Sequence, residues 1–306
     1  MSTIDISESK PLVTVGVVTY NSTYVVETLD SIKNQTYPNI ELVISDDCST
    51  DDTVERCKRW LAENKGRFVR TKIVESSINT GISKNVNRMI NAVSGVWIKP
   101  VADDILLPNC IEDNISFINR SNDEVYSVFS QSISFNNETG EELTLTPTPT
   151  FLLPSDVHSQ YILLIKKDFV NPVTVFYKKS YVASLGLANE KYLFMDDYPM
   201  RLKALKRGIP FHYMPTVTMR YRITGTSLSS SKKHGKMNQK WLDDATKFFK
   251  DEISVELKKN HLYLPYMILA IKFKLQNAYN RTNNHLLFVL YKGLSSIIVR
   301  IYTRII

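Results

Sequence analysis

Mostly apolar segments alternate with segments of helical periodicity along the first hundred residues. Apolar and β-branched residues are concentrated in the strand-like segments, whereas residues such as Val25, Leu29 and Ile32 recur at helical spacing. The predicted strands are 11–19, 40–45, 68–74 and 96–102, and the predicted helices are marked by Val25–Ile32, Val54–Leu61 and Ile82–Ala92. This order predicts an α/β fold with a mainly parallel central sheet, right-handed crossovers and flanking helices.

The pattern is less regular in the middle of the chain. We expect a strand at 125–135, a turn at 136–140, a Thr- and Pro-rich connection at 144–154 and a strand at 169–177. A short helix should follow Asp196 and Asp197 and end near Gly208. Beyond Lys232 only helices are expected. The predicted organisation is therefore one domain at 1–231, with halves of about 11–105 and 106–231, and a helical C-terminal region at 232–306.

The last predicted helix is amphipathic. Its apolar stripe consists of Leu287, Leu290, Leu294, Ile297, Ile298, Ile301 and Ile305. This stripe could cover the back of the main domain. It could also lie in a membrane interface, with Lys292, Arg300 and Arg304 towards the headgroups. The accompanying Tyr291 and Tyr302 favour the membrane.

Composition limits the possible classes. The formal net charge is +7, and many Lys and Arg residues from Lys166 onward are interleaved with apolar residues. That arrangement suits a membrane surface better than a groove for nucleic acid. The three cysteines lack zinc-ligand spacing, and residues 1–10 lack the apolar core of a secretion signal. We expect a cytoplasmic protein or one on the cytoplasmic face of a membrane.

Two predicted strands each end at a pair of aspartates. Asp46 and Asp47 follow the second strand, and Asp103 and Asp104 follow the fourth. The carboxyl ends of the strands in an open α/β sheet are where ligands bind. Adjacent carboxylates repel each other, but Mg²⁺ is often held by carboxylates together with substrate phosphates. Although Asp46 and Asp47 could simply form a turn before a helix, the two pairs together indicate an enzyme that uses a nucleotide-activated substrate.

Six segments in this order resemble the family 2 glycosyltransferases, which have the nucleotide-sugar-binding GT-A fold. They are 15–21, 31–42, 46–51, 79–83, 102–104 and 196–198, and they span about the first two-thirds of the chain. The resemblance is closest to bacterial enzymes of O-antigen or capsule synthesis. It implies that the half at 11–105 binds the nucleotide sugar and the half at 106–231 binds the acceptor.

The resemblance also implies roles for single residues. Val18 and Tyr20 would bracket the base of a nucleoside diphosphate, and Asp47 would accept a hydrogen bond from the pyrimidine. Asp103 would face the ribose, and Asp104 would bind Mn²⁺ or Mg²⁺. Such a metal acts as a Lewis acid that neutralises the departing diphosphate.

The catalytic base implied by the resemblance is Asp197, with Asp196 as the alternative. Two acids at a helix N-terminus are also favoured by the helix dipole alone. A base that deprotonates the acceptor hydroxyl during a single displacement inverts the anomeric centre. An α-linked donor would then give a β-linked product.

Some positions depart from the family pattern. Cys48 stands where the family often has Gly or Asn, which tolerate a left-handed turn better. Val86 stands where an Arg is common, so Lys84 or Arg88 would contact phosphate instead. Arg222 lies in a stretch, 221–227, that is similar to one found after the base in bacterial members, and it could reach the diphosphate.

Two histidines, His212 and His234, could help to hold the metal or the phosphates, although a lone histidine is more often a surface or core residue.

The sequence therefore predicts a metal-dependent, inverting glycosyltransferase that uses a UDP-sugar. The expected acceptor is a lipid-linked (polyprenyl diphosphate) saccharide. One alternative is a sugar nucleotidyltransferase, but 15–21 is not the Gly-rich basic loop that such an enzyme needs. A non-catalytic module that binds nucleic acid or another anion is the other alternative, and the acidic strand ends argue against it.

Overall fold

The structure is a computed structural model that describes residues 10–148, 150–224 and 236–303, with side chains described up to residue 294. The strands are β1 Val13–Thr19, β2 Ile40–Asp46, β3 Arg70–Glu75, β4 Trp97–Val101, β5 Ile105–Leu106, β6 Ser127–Asn136, β7 Glu142–Thr146, β8 Phe176–Lys178 and β9 His212–Ile223. The helices are α1 Val25–Lys33, α2 Thr53–Asn64, α3 Ile82–Ala92, α4 Cys110–Arg120, α5 Val157–Lys166, α6 Lys179–Leu185, α7 Tyr198–Lys206, α8 Gln239–Phe248, α9 Ser254–Lys259, α10 Tyr263–Thr282 and α11 His285–Thr303. A π-helical turn, Phe249–Ile253, joins α8 to α9.

The described strands form one mixed sheet in the order β3-β2-β1-β4-β8-β6-β9-β5, with β7 paired to β6. The first four strands are parallel, as are β6 and β9, whereas β5, β7 and β8 run antiparallel to their neighbours. The predicted α/β fold with a mainly parallel sheet is confirmed. Because β1 lies between β2 and β4, the aspartate pairs that follow those two strands lie at the same edge.

The sheet separates two hydrophobic clusters. Alternate residues of β1, from Val13 to Val17, pack with α1 and α4 on one face. The opposite face packs against α3, α5, α6 and α7 and against the π-helical turn. Among the described residues, no helix has the length and apolar content needed to cross a bilayer.

Two predictions for the middle of the chain are wrong. The expected strand at 169–177 is a loop and a 3₁₀ turn, Pro172–Thr174, followed by the short β8. Pro172 has no backbone N–H for a ladder, and Thr174 Oγ1 instead binds Ser130 and Asn171. The expected connection from residue 144 begins inside β7, which returns along β6 after the predicted turn.

The C-terminal helices pack onto the sheet domain in series. Tyr266, Leu269 and Phe273 of α10 contact the core cluster. The next helix, α11, packs on α10, where Ile268 meets Leu294. Of the predicted apolar stripe, Leu290 is exposed and Leu287 is half-buried, and the side chains beyond residue 294 lie outside the described part.

Candidate active site

The first aspartate pair is buried, and its two members have different partners. Asp46 accepts hydrogen bonds from Thr19 Oγ1 at 2.8 Å and from the Ser49 N–H at 2.7 Å, so it shapes the turn after β2. Asp47 accepts from the N–H groups of Thr80 and Gly81, at 2.9 and 2.7 Å. Asp47 therefore ties the end of β2 to the loop that begins α3.

Arg88 reinforces this connection, whereas Lys84 does not. Arg88 Nη2 donates to Thr80 Oγ1 at 2.9 Å and lies 3.4 Å from Asp47 Oδ1. Lys84, on the same helix, is exposed. Lys84 and Arg88 are the two candidate phosphate contacts. Arg88 is paired with Asp47, whereas Lys84 forms no ion pair with any described acidic residue.

The candidate base-binding residues Val18 and Tyr20 lie at the end of β1, beside the strand that leads to Asp47. Val18 is partly buried and pairs with Ser45 across the parallel ladder, and Tyr20 is 49% exposed at the end of β1. The Asp47 N–H donates to Thr19 O at 3.0 Å, which holds the two strand ends together. Cys48 has φ 69°, the left-handed conformation in which a Gly or Asn was expected.

Asp103 and Asp104 form the second pair, in the link between β4 and β5. The hydroxyl of Ser22 donates to Asp103 Oδ1, and the N–H of Arg222 donates to Asp104 Oδ1 at 2.9 Å. Burial raises the pKa of Asp104 to about 6, and the negative charge of Asp103 acts in the same direction. Each carboxylate has a second oxygen that accepts no hydrogen bond within the described part of the chain.

Arg222 is buried beside this pair and supports it. Its Nε donates to Asp103 O at 2.8 Å, its Nη1 to Asn137 Oδ1, and its Nη2 lies 2.7 Å from Glu27 Oε2. The guanidinium also stacks on the ring of Tyr24, 4.2 Å from the centroid. All of its N–H-bearing nitrogens thus have protein partners, so in this conformation Arg222 positions the Asp103–Asp104 segment.

Lys99 is a fully buried cation on β4 below the second pair. Its Nζ donates to Val173 O at 2.6 Å and Pro100 O at 3.1 Å. Burial lowers the pKa of Lys99 to about 8, although the nearby Asp104 and Cys110 oppose that change. Lys99 therefore links the strand that leads to the second aspartate pair to the 3₁₀ turn before β8.

The third pair of aspartates precedes α7. Asp197 caps the helix, because its Oδ1 accepts from the Tyr198 N–H at 2.6 Å. Arg201, 4% exposed, lies one turn later with its Nη1 2.7 Å from Asp197 Oδ2, and its Nη2 binds Asp168. Burial and then the charge of Asp197 raise the pKa of Asp196 to about 7. Asp196 makes no hydrogen bond or ion pair with the side chain of another described residue.

The segment before α7, which leads to Asp196 and Asp197, contacts the start of α3. The Ser83 N–H, at the start of α3, donates to Leu193 O at 3.3 Å, and the Ser83 hydroxyl donates to Tyr192 O at 2.5 Å. Because Gly81 also binds Asp47, only a few residues separate the first aspartate pair from the third.

The residues present can accommodate a divalent cation only together with a ligand. No group of three or more His, Cys, Asp or Glu side chains within the described ranges could hold a metal alone. The free oxygens of Asp103 and Asp104 could provide one or two carboxylate ligands. A protein usually supplies that number of ligands when Mg²⁺ also binds substrate phosphates. His212 begins β9 and is half-buried, with its pKa lowered by burial. His234 lies outside the described residues.

Three residues of this site or its support were not predicted: Lys99, Asp168 and Arg201. Lys99 carried a signal, because it is a charged residue inside an otherwise apolar strand. Nothing in the sequence connects Asp168 with Arg201, since they meet only when the loop before β8 packs against α7.

Residues 14–185 match the family model described as Glycosyl transferase family 2, which is more than half of the chain. The fold and the acidic strand ends thus define a GT-A glycosyltransferase. This chain belongs to the family 2 glycosyltransferases.

A relative and two solved structures illustrate the similarity. The Escherichia coli enzyme WfaP, a UDP-Glc:alpha-D-GlcNAc-diphosphoundecaprenol beta-1,3-glucosyltransferase, is 27% identical over 223 residues, 72% of this chain and 81% of the relative. S. aureus TarS 1-349 in complex with UDP-GlcNAc has a TM-score of 0.57 and 16% identity, covering 87% of this chain and 81% of that one. The mannosyltransferase PcManGT from Pyrobaculum calidifontis, in complex with GDP-Man and Mn²⁺, has a TM-score of 0.52 and 17% identity, covering 97% and 83%. Other relatives are named for teichuronic acid and amylovoran biosynthesis.

Proposed function

We propose that this protein is an inverting, metal-dependent glycosyltransferase that moves a sugar from a UDP-sugar to a hydroxyl of a lipid-linked saccharide. The observation that carries the proposal is the position of two aspartate pairs after the parallel strands that flank β1, with free carboxylate oxygens on Asp103 and Asp104. The segment that leads to Asp196 and Asp197 contacts the start of α3 through Ser83. The relative WfaP, which is named for a UDP-sugar donor and a diphosphoundecaprenol-linked acceptor, supports the choice of substrates.

The donor would lie along the ends of β1, β2 and β4. Val18, Tyr20 and Asp47 would contact the base, Asp103 the ribose, and Asp104 a Mn²⁺ or Mg²⁺ ion shared with the diphosphate. When bound, that ion would neutralise the charge of the leaving group. Lys84, and Arg88 if it leaves Asp47, would contact the phosphates.

Asp197 would be the base that removes the proton from the acceptor hydroxyl, with Asp196 as the alternative. The helix cap and Arg201 orient Asp197, which favours a fixed position. The raised pKa and free oxygens of Asp196 favour the alternative, since a base works best when its pKa is near the operating pH.

The cellular setting is part of the proposal. An enzyme of O-antigen or capsule assembly would act at the cytoplasmic face of the inner membrane, where a polyprenyl-linked acceptor is held. The same acidic site makes a nucleic-acid-binding module a poor alternative. A sugar nucleotidyltransferase is also less well supported, because the family match favours sugar transfer.

The test is nucleotide release from a panel of UDP-, GDP- and dTDP-sugars, with and without Mn²⁺. Transfer is measured on a synthetic lipid-diphosphate-linked N-acetylglucosamine. We expect Asp104→Asn to lose metal-dependent release. We expect Asp197→Asn to keep donor binding but lose transfer by at least about 100-fold, within the range for a catalytic base.

The matched control is Asp243→Asn, an exposed aspartate on α8, which should leave every rate unchanged. Equal loss of donor binding and transfer in Asp197→Asn would contradict its assignment as base. In that case, we expect Asp196→Asn to be the variant that keeps donor binding but loses transfer. If no nucleotide sugar binds or is hydrolysed, the proposed function is wrong.

A further inference from the structure

The net positive charge of this protein originates near one end of the sequence. Residues 257–306 contain eight Lys and Arg and no Asp or Glu, whereas residues 1–256 contain 30 Lys and Arg and 31 Asp and Glu. The catalytic part is therefore close to neutral, and the whole net charge of +7 originates in the last fifty residues. This stretch includes α10 and α11.

Helix α10 has three distinct faces. One packs on the core through Tyr266, Leu269 and Phe273, and a second meets α11 through Ile268. The third face points to solvent but is also apolar. Leu264, Met267 and Ile271 are 61%, 55% and 46% exposed.

These exposed residues form one continuous stripe. Leu264, Met267, Ile271 and Lys274 follow one another at the spacing of a single helical face, over about 15 Å at 1.5 Å per residue. The stripe is thus three apolar side chains followed by an exposed lysine. A solvent-facing stripe of this kind on a helix whose other faces are already packed indicates an interaction surface.

The beginning of α11 also has exposed apolar side chains. Leu286, Val289 and Leu290 are 65%, 50% and 49% exposed. Exposed basic side chains lie on both helices and immediately before them: Lys258, Lys259, Lys274, Arg281 and Lys292. Apolar and basic side chains therefore occur together, and no acidic side chain of this stretch opposes them.

We propose that α10, together with the start of α11, docks on an anionic lipid bilayer. Leu264, Met267 and Ile271 would enter the interface while the flanking lysines meet lipid phosphates. The mixture of large exposed apolar residues with exposed basic side chains fits a bilayer surface, which has an apolar interior below anionic headgroups. The membrane contact is thus assigned to α10 as well as to the last helix.

The test is cosedimentation of the full chain with vesicles of phosphatidylcholine alone or with 30% phosphatidylglycerol, a composition of roughly physiological charge. We expect binding to the anionic vesicles, weakened by salt. Leu264→Gln/Met267→Gln should weaken it by about tenfold or more, because two large side chains would no longer be buried. Lys274→Gln should weaken it by about fivefold.

Matched controls lie elsewhere on the surface. Val69→Gln removes a side chain that is 64% exposed beside β3, and Lys65→Gln removes an exposed lysine near the same strand. Both should bind vesicles like the unmodified protein. Equal binding by the α10 variants and the controls would overturn the proposal.

A second copy of this chain is the competing occupant of the stripe. If it covers α10, light scattering will show a dimer that Leu264→Gln/Met267→Gln converts to a monomer, and vesicle binding will not depend on those residues. That outcome would also overturn the proposal.

The proposal rests on the proposed function only for the choice of a membrane as partner. The vesicle assay uses no sugar donor, so it can fail while metal-dependent nucleotide release remains intact.

Discussion

The pKa of Asp196 depends on the charges that surround α7. Asp197 and burial raise it, and the guanidinium of Arg201 opposes them. Tyr177 and Asp168 also lie near these groups, and burial raises the pKa of both. Because the charge of Arg201 opposes the rise in pKa of both Asp168 and Asp196, it should influence how these two acids titrate.

We therefore predict that Arg201→Gln moves the acid limb of the kcat/KM profile to higher pH. Removing the cation raises the pKa of the neighbouring carboxyl groups, so a base among them becomes deprotonated only at higher pH. The shift should be about one unit or more, as is usual for a carboxylate next to a lost arginine. The measurement is the pH dependence of nucleotide release and transfer.

Arg201→Lys is the matched control, because it keeps the charge and should keep most of the original profile. Circular dichroism must show that both variants are folded, since breaking a buried ion pair costs about 3–5 kcal/mol. A lower rate with an unchanged pH profile would show that Arg201 only supports the fold.

At the scale of residues, the sequence predicts chemistry better than contacts. The aspartate pairs can be recognised in the sequence because they follow apolar strands. The different roles of the two members of a pair cannot be recognised there. Asp46 and Asp47 are adjacent, yet one shapes a turn and the other anchors the loop before α3. Likewise, the sequence suggested that Arg222 could reach a diphosphate. It could not show that Arg222 binds Glu27 and Asn137, because these two residues are far away along the chain.

Among the structural elements, β9 is connected to the link between β4 and β5 mainly through Arg222. We predict that Arg222→Lys lowers kcat/KM by about 10- to 100-fold and raises the Mn²⁺ concentration needed for half-maximal rate. The reason is that supporting contacts around metal ligands typically contribute that much. A lysine cannot bind Asp103 O, Asn137 and Glu27 together.

Arg220→Lys is the control, since Arg220 lies on the same strand and pairs with Glu142 at 3.8 Å. It should leave the Mn²⁺ dependence unchanged. Asn137→Ala should reproduce part of the Arg222→Lys effect. If Arg222→Lys instead weakens nucleotide binding equally with and without metal, Arg222 contacts the donor directly.

Glu41 joins elements at the opposite end of the sheet. This fully buried carboxylate of β2 accepts from Ser94 Oγ at 2.6 Å, from the Ser94 N–H at 2.7 Å and from Thr14 Oγ1 at 2.5 Å. These hydrogen bonds lower the pKa of Glu41, although burial opposes them. The carboxylate form therefore stabilises the junction of β1, β2 and the turn before β4.

We predict that Glu41→Gln lowers the free energy of unfolding by about 1–3 kcal/mol at pH 7, as for a lost charge-assisted hydrogen bond. A lowered folded pKa gives stability that is present above the unfolded value and is lost as the pH falls through the folded value. The difference between variant and parent should therefore shrink on acidification, as measured by thermal unfolding from pH 7 to 3. Glu75→Gln, an exposed β3 residue, is the control. A difference that is constant with pH would contradict the role given to the charge.

The elements that were predicted well have strong periodicity. Segments rich in apolar residues and helices with regular apolar spacing account for β1 to β4 and α1 to α3, because the local pattern and the tertiary structure largely agree there. The errors lie in β7 and at 169–175. In that region pairing partners come from distant parts of the chain, and a proline and polar side chains decide the backbone path.

At the scale of the whole molecule, buried polar contacts join the two halves of the sheet. The Lys99 amine reaches from β4 to the backbone of Val173, and Thr174 binds Ser130 of β6. The sequence indicated two halves within one domain but gave no sign of this junction, because its members lie more than forty residues apart. The role of the last helices depends likewise on which of their faces the rest of the chain leaves uncovered.

The separation of a nearly neutral body from a basic pair of helices also has a kinetic consequence. A protein with its charge at one end has a large electric dipole, and near a negatively charged surface the field exerts a torque on it. Such a molecule would approach the surface with α10 and α11 facing it. It would not depend on random rotation to bring these helices into contact with the surface. Raising the ionic strength would then slow productive encounters through lost alignment, even before it weakened the bound state.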